Sequence, residues 1–384
     1  MNAGWQYYVF LAAALAGFSA FFITFNISWY YLMPAAAFFI TLELTQHLTR
    51  ILASRRILDI PNARSSHAEP VPRGGGLAAV VVFLAAIALL HATAGFDTRL
   101  FWALLAGGGL VAAVGLADDI VGLPTPVRFT LTLAAVAACC LWLGTPPLAF
   151  GAQVIAPGGA LYLLQGLLLL WVLNFFNFMD GIDAIAGIEA ITIALAAAAI
   201  LWFVSPGHYA VAPLAVLAAA VAGFTVWNWP PAQVFMGDTA SGFLGFCLGL
   251  FAIRTAMDGA MTVWAWMILF GVFFCDATVT LLRRLWRRQK VYQAHRDHAY
   301  QRFARALQRR FDAGRGNART RAHAAVSLGV AAVNVLWLAP LALLAALRPA
   351  WGAWCAALAL LPLAAVALSA GAGGGKPQRG DGQC

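Results

Sequence analysis

The chain has 384 residues, of which 62% are hydrophobic and 10% are charged. Soluble domains carry about a quarter charged residues, so this composition excludes a soluble, disordered or coiled-coil protein. The apolar runs are continuous and about twice as long as the roughly ten-residue alternating segments of a membrane β-barrel. The sequence therefore predicts an all-α, polytopic membrane helical bundle. In a membrane protein, a formal net charge of +9 reflects how the chain is oriented in the membrane. It also favours contact with anionic lipids rather than with nucleic acid.

Twelve apolar segments are long enough to cross a hydrocarbon core of roughly 30 Å, which takes about 20 helical residues. They are 5–25, 29–48, 77–95, 100–116, 129–143, 159–176, 184–204, 210–226, 242–257, 261–282, 324–347 and 351–370. The first is predicted to be an additional span (segment 1–28) rather than a cleaved signal, because no Lys or Arg precedes it. Since it forms either a tight hairpin or one broken helix with the second, we expect 11 or 12 transmembrane helices.

Basic residues predict the orientation of the bundle, because 21 of the 24 Lys and Arg residues lie in alternate loops and in the C-terminal tail. The positive-inside rule places these segments in the cytoplasm. The predicted cytoplasmic segments are 49–76, 117–128, 177–183, 227–241 and 283–323, with a flexible tail at 371–384. Functional groups are therefore expected inside the membrane or on its cytoplasmic face.

Five aspartates lie at three of the predicted cytoplasmic helix ends, and they are Asp118, Asp119, Asp180, Asp183 and Asp238. Helix ends of a compact bundle can converge, and converging carboxylates must bind protons unless a cation lies among them. Mg²⁺ suits such oxygen ligands, since it usually takes one or two carboxylates together with substrate phosphates. The alternative is that each acid caps a helix end in water.

The loop at 283–323 carries thirteen Lys and Arg residues and is predicted to form one or two basic helices. It contains His295, Arg296 and His298 within four residues. Arginine offers a fork of donors to phosphate, and histidine donates to phosphate or sugar oxygens. The alternative is that the loop anchors the chain on a lipid surface.

Two further loops carry groups that could bind an anion or a base. Arg64, His67 and Arg73 surround Gly74–Gly76, which would let the backbone approach a ligand closely, although a structured turn is the alternative. Asn228 could pair with a base edge and Phe235 could stack on it.

Asp276 lies within a predicted span, and an intramembrane carboxylate is a candidate functional group. Pairing with a neighbouring helix is the alternative for this residue.

The order of these motifs from Leu58 to Gln301 resembles that of the polyprenyl-phosphate N-acetylhexosamine-1-phosphate transferase family. The matching segments are Asp59-Ile-Pro-Asn-Ala-Arg-Ser-Ser-His, Pro-Arg-Gly-Gly-Gly, Asp118-Asp119-Ile-Val-Gly-Leu, Asn-Phe-Met-Asp-Gly-Ile-Asp, Asn-Trp-Pro-Pro-Ala, Phe-Met-Gly-Asp and Asp276-Ala-Thr. The form His-Arg-x-His-x-Tyr-Gln is similar to the O-antigen-initiating branch. Ala184 and Ala240 stand where the family commonly has glycine, which indicates different loop packing.

The resemblance implies a role for each motif residue, with the transferase domain at 29–370. Asn177 and Asp238 would bind Mg²⁺, with Mn²⁺ as an alternative ion, and Asp118 and Asp119 would handle the lipid phosphate. Asp183, Asn228 and Phe235 would hold the uridine. The residues expected at the diphosphate or sugar are Arg73, Asp180, His295, Arg296 and His298.

The resemblance implies transfer of a HexNAc-1-phosphate from a UDP-N-acetylhexosamine to undecaprenyl phosphate, at the cytoplasmic face of a bacterial inner membrane. The branch favours a 6-deoxy sugar such as FucNAc or QuiNAc over GlcNAc, and the family implies a homodimer. A lipid-linked sugar flippase and an inactive scaffold are the alternatives. The sequence leaves open whether transfer takes one step or two.

Overall fold

The computed structural model describes residues 32–61, 69–151, 153–289, 296–311 and 317–374. Several predicted features lie outside these ranges, namely segment 5–25, Arg64, His67, His295 and the tail beyond residue 374. The fold below concerns the described residues.

Long helices make up most of the structure. They are α1 (Met33–Ser54), α2 (Leu77–Ala94), α3 (Thr98–Val121), α4 (Thr125–Leu143), α5 (Gly159–Met179), α6 (Ile185–Val204), α7 (Val211–Asn228), α8 (Asp238–Met257), α9 (Val263–Leu269), α10 (Gly271–Trp286), α11 (Ala299–Phe311), α12 (Ala318–Leu347) and α13 (Gly352–Ser369). Helices α3 and α12 each contain a short π-helical section. The antiparallel pairs β1 (Leu58–Asp59) with β2 (Val71–Pro72), and β3 (Leu148–Phe150) with β4 (Gln153–Ile155), complete the structure.

Nine helices in the described ranges are long and apolar enough to cross a membrane, or ten if the pair α9–α10 is one bent span. In lipid, a helix satisfies every backbone polar group within its own segment, so continuous apolar runs fold as helices. The predicted polytopic helical bundle is therefore confirmed.

Two predicted spans differ from the structure. The described part of segment 29–48 belongs to α1, which begins at Met33, runs on to Ser54 and is not among the nine apolar helices. Helix α1 packs against α7, where the Trp227 indole donates to the carbonyl of Leu42 at 2.9 Å. The segment 261–282 is not one straight helix, because α9 and α10 meet at an angle of 78° around Phe270. Hydropathy could not show this bend, since the apolar run is unbroken across it.

Helix α8 is the centre of the bundle. Some 83% of its apolar window is buried inside the protein, compared with 28% for α13. The C-terminal part of α3 lies directly against the start of α8, where a Cβ on Gly115 would lie 2.6 Å from the carbonyl carbon of Asp238. Only glycine allows this approach, which sets the aspartate doublet of α3 beside the first turn of α8.

Gly115→Ala should push α3 away from α8 and destabilise the protein by about 1–3 kcal/mol, the usual cost of overpacking. Gly109→Ala is the matched control, since a Cβ there has open space on the same helix. Thermal unfolding of the purified protein in detergent measures both. Equal melting temperatures for the two variants would contradict this close approach.

Candidate active site

Arg73 joins two of the predicted aspartates. Its Nε lies 2.8 Å from Asp119 Oδ1, and its Nη2 lies 2.6 Å from Asp238 Oδ1. The loop before α2 and the start of α8 are thereby held together through two separate nitrogens of one guanidinium group. About a third of the Arg73 side chain (36%) stays exposed.

Arg128, at the start of α4, makes the second bridge. Its Nη1 lies 2.6 Å from Asp118 Oδ2 and 2.8 Å from Asp238 Oδ2, so one nitrogen serves both carboxylates. Arg128 is a site residue that was not predicted from the sequence. Its signal was its position as the one basic residue of segment 117–128.

The two residues of the aspartate doublet have different surroundings. Asp119 accepts hydrogen bonds from the amides of Asp238 and Thr239 and from the Thr239 hydroxyl, at 2.7–2.9 Å. It therefore caps the N-terminus of α8 from another helix, where a negative charge is favourable. Its side chain is 1% exposed, whereas that of Asp118 is 14% exposed. Both residues lie in the last turn of α3 rather than in a loop.

Backbone pairing aligns the loops around this cluster. The Phe235 amide donates to the carbonyl of Pro72 at 2.8 Å, and the Phe235 carbonyl accepts from the amides of Gly74 and Gly75. The predicted glycine run therefore serves the contact between two protein loops, and it places Arg73 beside Asp238. The role of the Phe235 ring in stacking on a base stays a prediction.

Asn177 and Asp180 lie at the C-terminal end of α5, next to the cluster. The Asn177 amide donates to Ser241 in the first turn of α8 at 3.1 Å. Asp180 follows the helix and forms no ion pair with any residue in the described ranges. Burial, and then the negative charge of Asp238, raise the pKa of the Asp180 carboxyl to about 7.

Asp183 and Asn228 are both 3% exposed and are bonded within the protein. Asp183 Oδ2 lies 3.2 Å from His323 Nδ1, and Ser327 donates to its carbonyl at 3.0 Å. Although burial alone would raise it, the hydrogen bond to His323 holds the pKa of Asp183 below its ordinary value. These contacts tie the end of α5 to α12, and His323 was missed because it lies 140 residues away.

Asn228 bridges two loops, accepting from the amide of Ala184 at 2.9 Å and donating to the carbonyl of Val234 at 2.9 Å. Ala184 has a left-handed backbone with φ of 66°, a conformation that favours glycine. The Asn228 bond therefore holds an alanine in a conformation that glycine adopts more easily. The roles of Asn228 and Asp183 as uridine ligands stay predictions.

The predicted basic motif adjoins the same end of the bundle. His298 is 4% exposed, and Arg296 is half-buried with a carbonyl that accepts from Arg305 at 2.7 Å. Tyr300, two residues later, places its hydroxyl 3.4 Å from the carbonyl of Phe178 beside Asp180. The start of α11 thus meets the turn after α5. His295 lies outside the described residues.

The predicted magnesium site concerns the carboxylates that are gathered around Asp238. In the described ranges, no three His, Cys, Asp or Glu side chains are grouped so as to hold a metal ion. Four carboxylates, of Asp118, Asp119, Asp180 and Asp238, nevertheless surround only two guanidinium groups. Their oxygen donors and this excess of negative charge fit a hard divalent cation that takes its remaining ligands from a substrate phosphate.

Comparison with known proteins gives a consistent result. The glycosyl transferase family 4 profile matches residues 101–256, from α3 to α8. A probable undecaprenyl-phosphate N-acetylglucosaminyl 1-phosphate transferase of Bacillus subtilis is 27% identical over 68% of this chain and 73% of its own length. A decaprenyl-phosphate N-acetylglucosaminephosphotransferase of Mycolicibacterium smegmatis is 29% identical over 61% of this chain and 64% of its own length. A phospho-N-acetylmuramoyl-pentapeptide-transferase of Shouchella clausii is 32% identical over 55% of this chain and 68% of its own length.

The apolar helices and these similarities define a multi-pass membrane transferase. The chain belongs to the polyprenyl-phosphate N-acetylhexosamine-1-phosphate transferase family, the glycosyl transferase family 4 of the matching profile. The family assignment from the sequence motifs is confirmed.

The two arginine bridges predict different tolerance to lysine. Arg128→Lys should retain stability, because one ammonium nitrogen can replace the single Nη1 that serves both carboxylates. Arg73→Lys should lose about 1 kcal/mol, because one nitrogen cannot make the two separate contacts of a partly exposed guanidinium. Thermal unfolding measures this, with exposed Arg99→Lys as the control. The opposite order of melting temperatures would contradict the geometry.

The raised pKa of Asp180 predicts that the stability of the folded protein depends on pH. Since its pKa is raised to about 7 in the folded protein, the folded state binds this proton more tightly than the unfolded chain. The resulting stabilisation is complete below the ordinary aspartate pKa and is lost as the pH rises through about 7. Asp180→Asn cannot ionise, so its melting temperature in EDTA should exceed that of the wild type by a margin that grows from about pH 5 to pH 8. A constant margin would contradict the raised pKa.

Proposed function

We propose that the protein transfers a HexNAc-1-phosphate from a UDP-N-acetylhexosamine to undecaprenyl phosphate and releases UMP. The observation that carries this proposal is the arginine-bridged group of carboxylates at the meeting point of three apolar helices, α3, α5 and α8. A lipid acceptor with a charged head requires such a polar site at a membrane surface. The names of the relatives support the acceptor and the reaction.

In this reaction an oxygen of the lipid phosphate forms a bond to the sugar-linked phosphorus of the donor. The bond from that phosphorus to the bridging oxygen breaks, and UMP leaves with the bonding electrons. Positioning and charge neutralisation are what such a transfer needs from a protein. Arg73 and Arg128 are the guanidinium groups available to orient phosphate oxygens at the cluster.

The surroundings of the doublet favour Asp118 as the residue that activates the acceptor. Asp119 has both oxygens bonded to the start of α8 and is closed to solvent. Asp118 is partly exposed, with its Oδ1 bonded to the amide of Leu123 and its Oδ2 to Arg128. It can take the proton of the lipid phosphate, or attack the donor phosphorus itself in a two-step transfer.

Asp238 and Asn177 would hold a Mg²⁺ ion, with Mn²⁺ as the alternative, together with the donor phosphates. When bound, this ion would neutralise charge on the phosphate oxygens. Asp180 would lie beside the diphosphate, and Arg296 and His298 would approach the sugar or diphosphate from the start of α11.

The proposal for the sugar covers several N-acetylhexosamines, whereas the proposed reaction is a single one. Two of the relatives are named for N-acetylglucosamine and the third for N-acetylmuramoyl-pentapeptide. The His-Arg-x-His-x-Tyr-Gln form favours a 6-deoxy HexNAc such as FucNAc or QuiNAc. The product would begin a lipid-linked glycan, such as O-antigen or a similar surface polysaccharide, at the cytoplasmic face of a bacterial inner membrane.

A lipid-linked sugar flippase has less support. Beyond the first and last turns, the described spans contain two carboxyl groups, Glu189 and Asp276. Each accepts hydrogen bonds from a neighbouring helix, Glu189 from Asn334 and Asp276 from the start of α11. These groups therefore serve contacts between helices.

Purified protein, undecaprenyl phosphate and a panel of UDP-GlcNAc, UDP-FucNAc and UDP-QuiNAc should release UMP in the presence of Mg²⁺ and not in EDTA. Asp238→Asn should lower the rate by about 10²–10³-fold, the scale of a lost electrostatic contact in a catalytic site. Asp258→Asn, just beyond the other end of α8, is the matched control and should keep the rate. Absence of UMP with every donor would overturn the proposal.

A further inference from the structure

We infer that Asp276 is a positioning residue of the donor site, which sets the start of α11 and the ring of His298. This inference rests on the proposed function, because the donor is the ligand that α11 would meet. Asp276 lies in the middle of α10 and is 5% exposed. Burial of a carboxylate is unfavourable unless hydrogen bonds or opposite charges compensate for the lost hydration.

Those partners are the first amides of α11. Asp276 Oδ1 accepts from the amide of Ala299 at 2.8 Å, and Oδ2 accepts from the amide of Tyr300 at 3.0 Å. The first amides of a helix have no partner within it, and a negative charge there is favourable. Asp276 therefore caps α11 from a different helix, 23 residues earlier in the chain.

The same carboxylate orients the imidazole of His298. Asp276 Oδ1 lies 3.4 Å from His298 Nδ1, and the ring of Tyr300 stacks on that imidazole with centroids 5.8 Å apart. The imidazole therefore lies between the Asp276 carboxylate and the ring of Tyr300. The orientation of His298 is thus determined from within the membrane helix.

The capped end of α11 is fitted against the turn that carries Asp180. The Tyr300 hydroxyl faces the carbonyl of Phe178, and a Cβ on Gly181 would collide with that hydroxyl and lie 3.0 Å from the Gln301 side chain. A side chain at position 181 would push the turn away from the start of α11. Loss of the cap should therefore move His298 relative to Asp180, while the cluster at α8 stays intact.

The kinetic consequence is specific to the donor. Asp276→Asn keeps the size of the side chain but offers one acceptor to two amides. We expect the KM for the UDP-sugar to rise by about 10- to 100-fold, the scale of a hydrogen bond to a charged group. The KM for undecaprenyl phosphate and kcat should change little, because the aspartates and arginines at α8 are unaltered.

A double-mutant cycle separates positioning from a general loss of structure. If Asp276 acts through α11 and His298, the effects of Asp276→Asn and His298→Ala on the donor KM should be non-additive, so that the double variant resembles His298→Ala alone. Glu189→Gln is the matched control, since it alters another buried carboxyl that contacts α12 instead of α11. Its donor KM should equal that of the wild type.

A second measurement does not depend on activity. Hydrogen–deuterium exchange over residues 296–311 should show faster exchange at the start of α11 in Asp276→Asn than in the wild type or Glu189→Gln. Unchanged exchange, or multiplicative effects on the donor KM in the cycle, would overturn the inference. Absence of UMP from the wild type would instead overturn the proposed function, and the exchange result would then decide on the cap by itself.

Discussion

The structure depends on a surplus of negative charge at the start of α8. Asp238 opens that helix, Asp119 caps it, and Arg73 and Arg128 compensate the carboxylates from two different loops. Without these guanidinium partners, carboxylates at such short distances from one another would repel each other. The cluster therefore fixes the relative positions of α3, α4, α8 and the loop before α2, and it also forms the polar surface on which phosphate chemistry can take place.

The neighbouring aspartates of the doublet illustrate a division between architecture and chemistry. The carboxylate of Asp119 is occupied by hydrogen bonds to the N-terminus of α8, which it caps. Asp118 is partly exposed beside Arg128. The same device recurs at α11, whose first amides are taken by Asp276 from α10. Two helix starts in the site are thus capped by carboxylates from other helices, so the backbone of the site is assembled by the tertiary fold.

The sequence predicted the helical bundle and the convergence of Asp118, Asp119 and Asp238, because long apolar runs and acids at helix ends are local patterns. It could not predict that Arg73 and Arg128 bridge these carboxylates, since both arginines meet Asp238 only after folding. Contacts of this kind join residues more than 100 positions apart. The bend between α9 and α10 could not be predicted either, because the apolar run continues across Phe270.

Arg128 holds both Asp118 and Asp238 through its Nη1 nitrogen, and this arrangement has a consequence for the binding of an anion. The two carboxylates take the N–H groups of Nη1, and the remaining N–H groups of this guanidinium, whose side chain is 37% exposed, can donate to an anion. An anion bound there would lie beside Asp118 and would draw on the same positive charge, so that filling the site would weaken the attraction between Arg128 and both carboxylates.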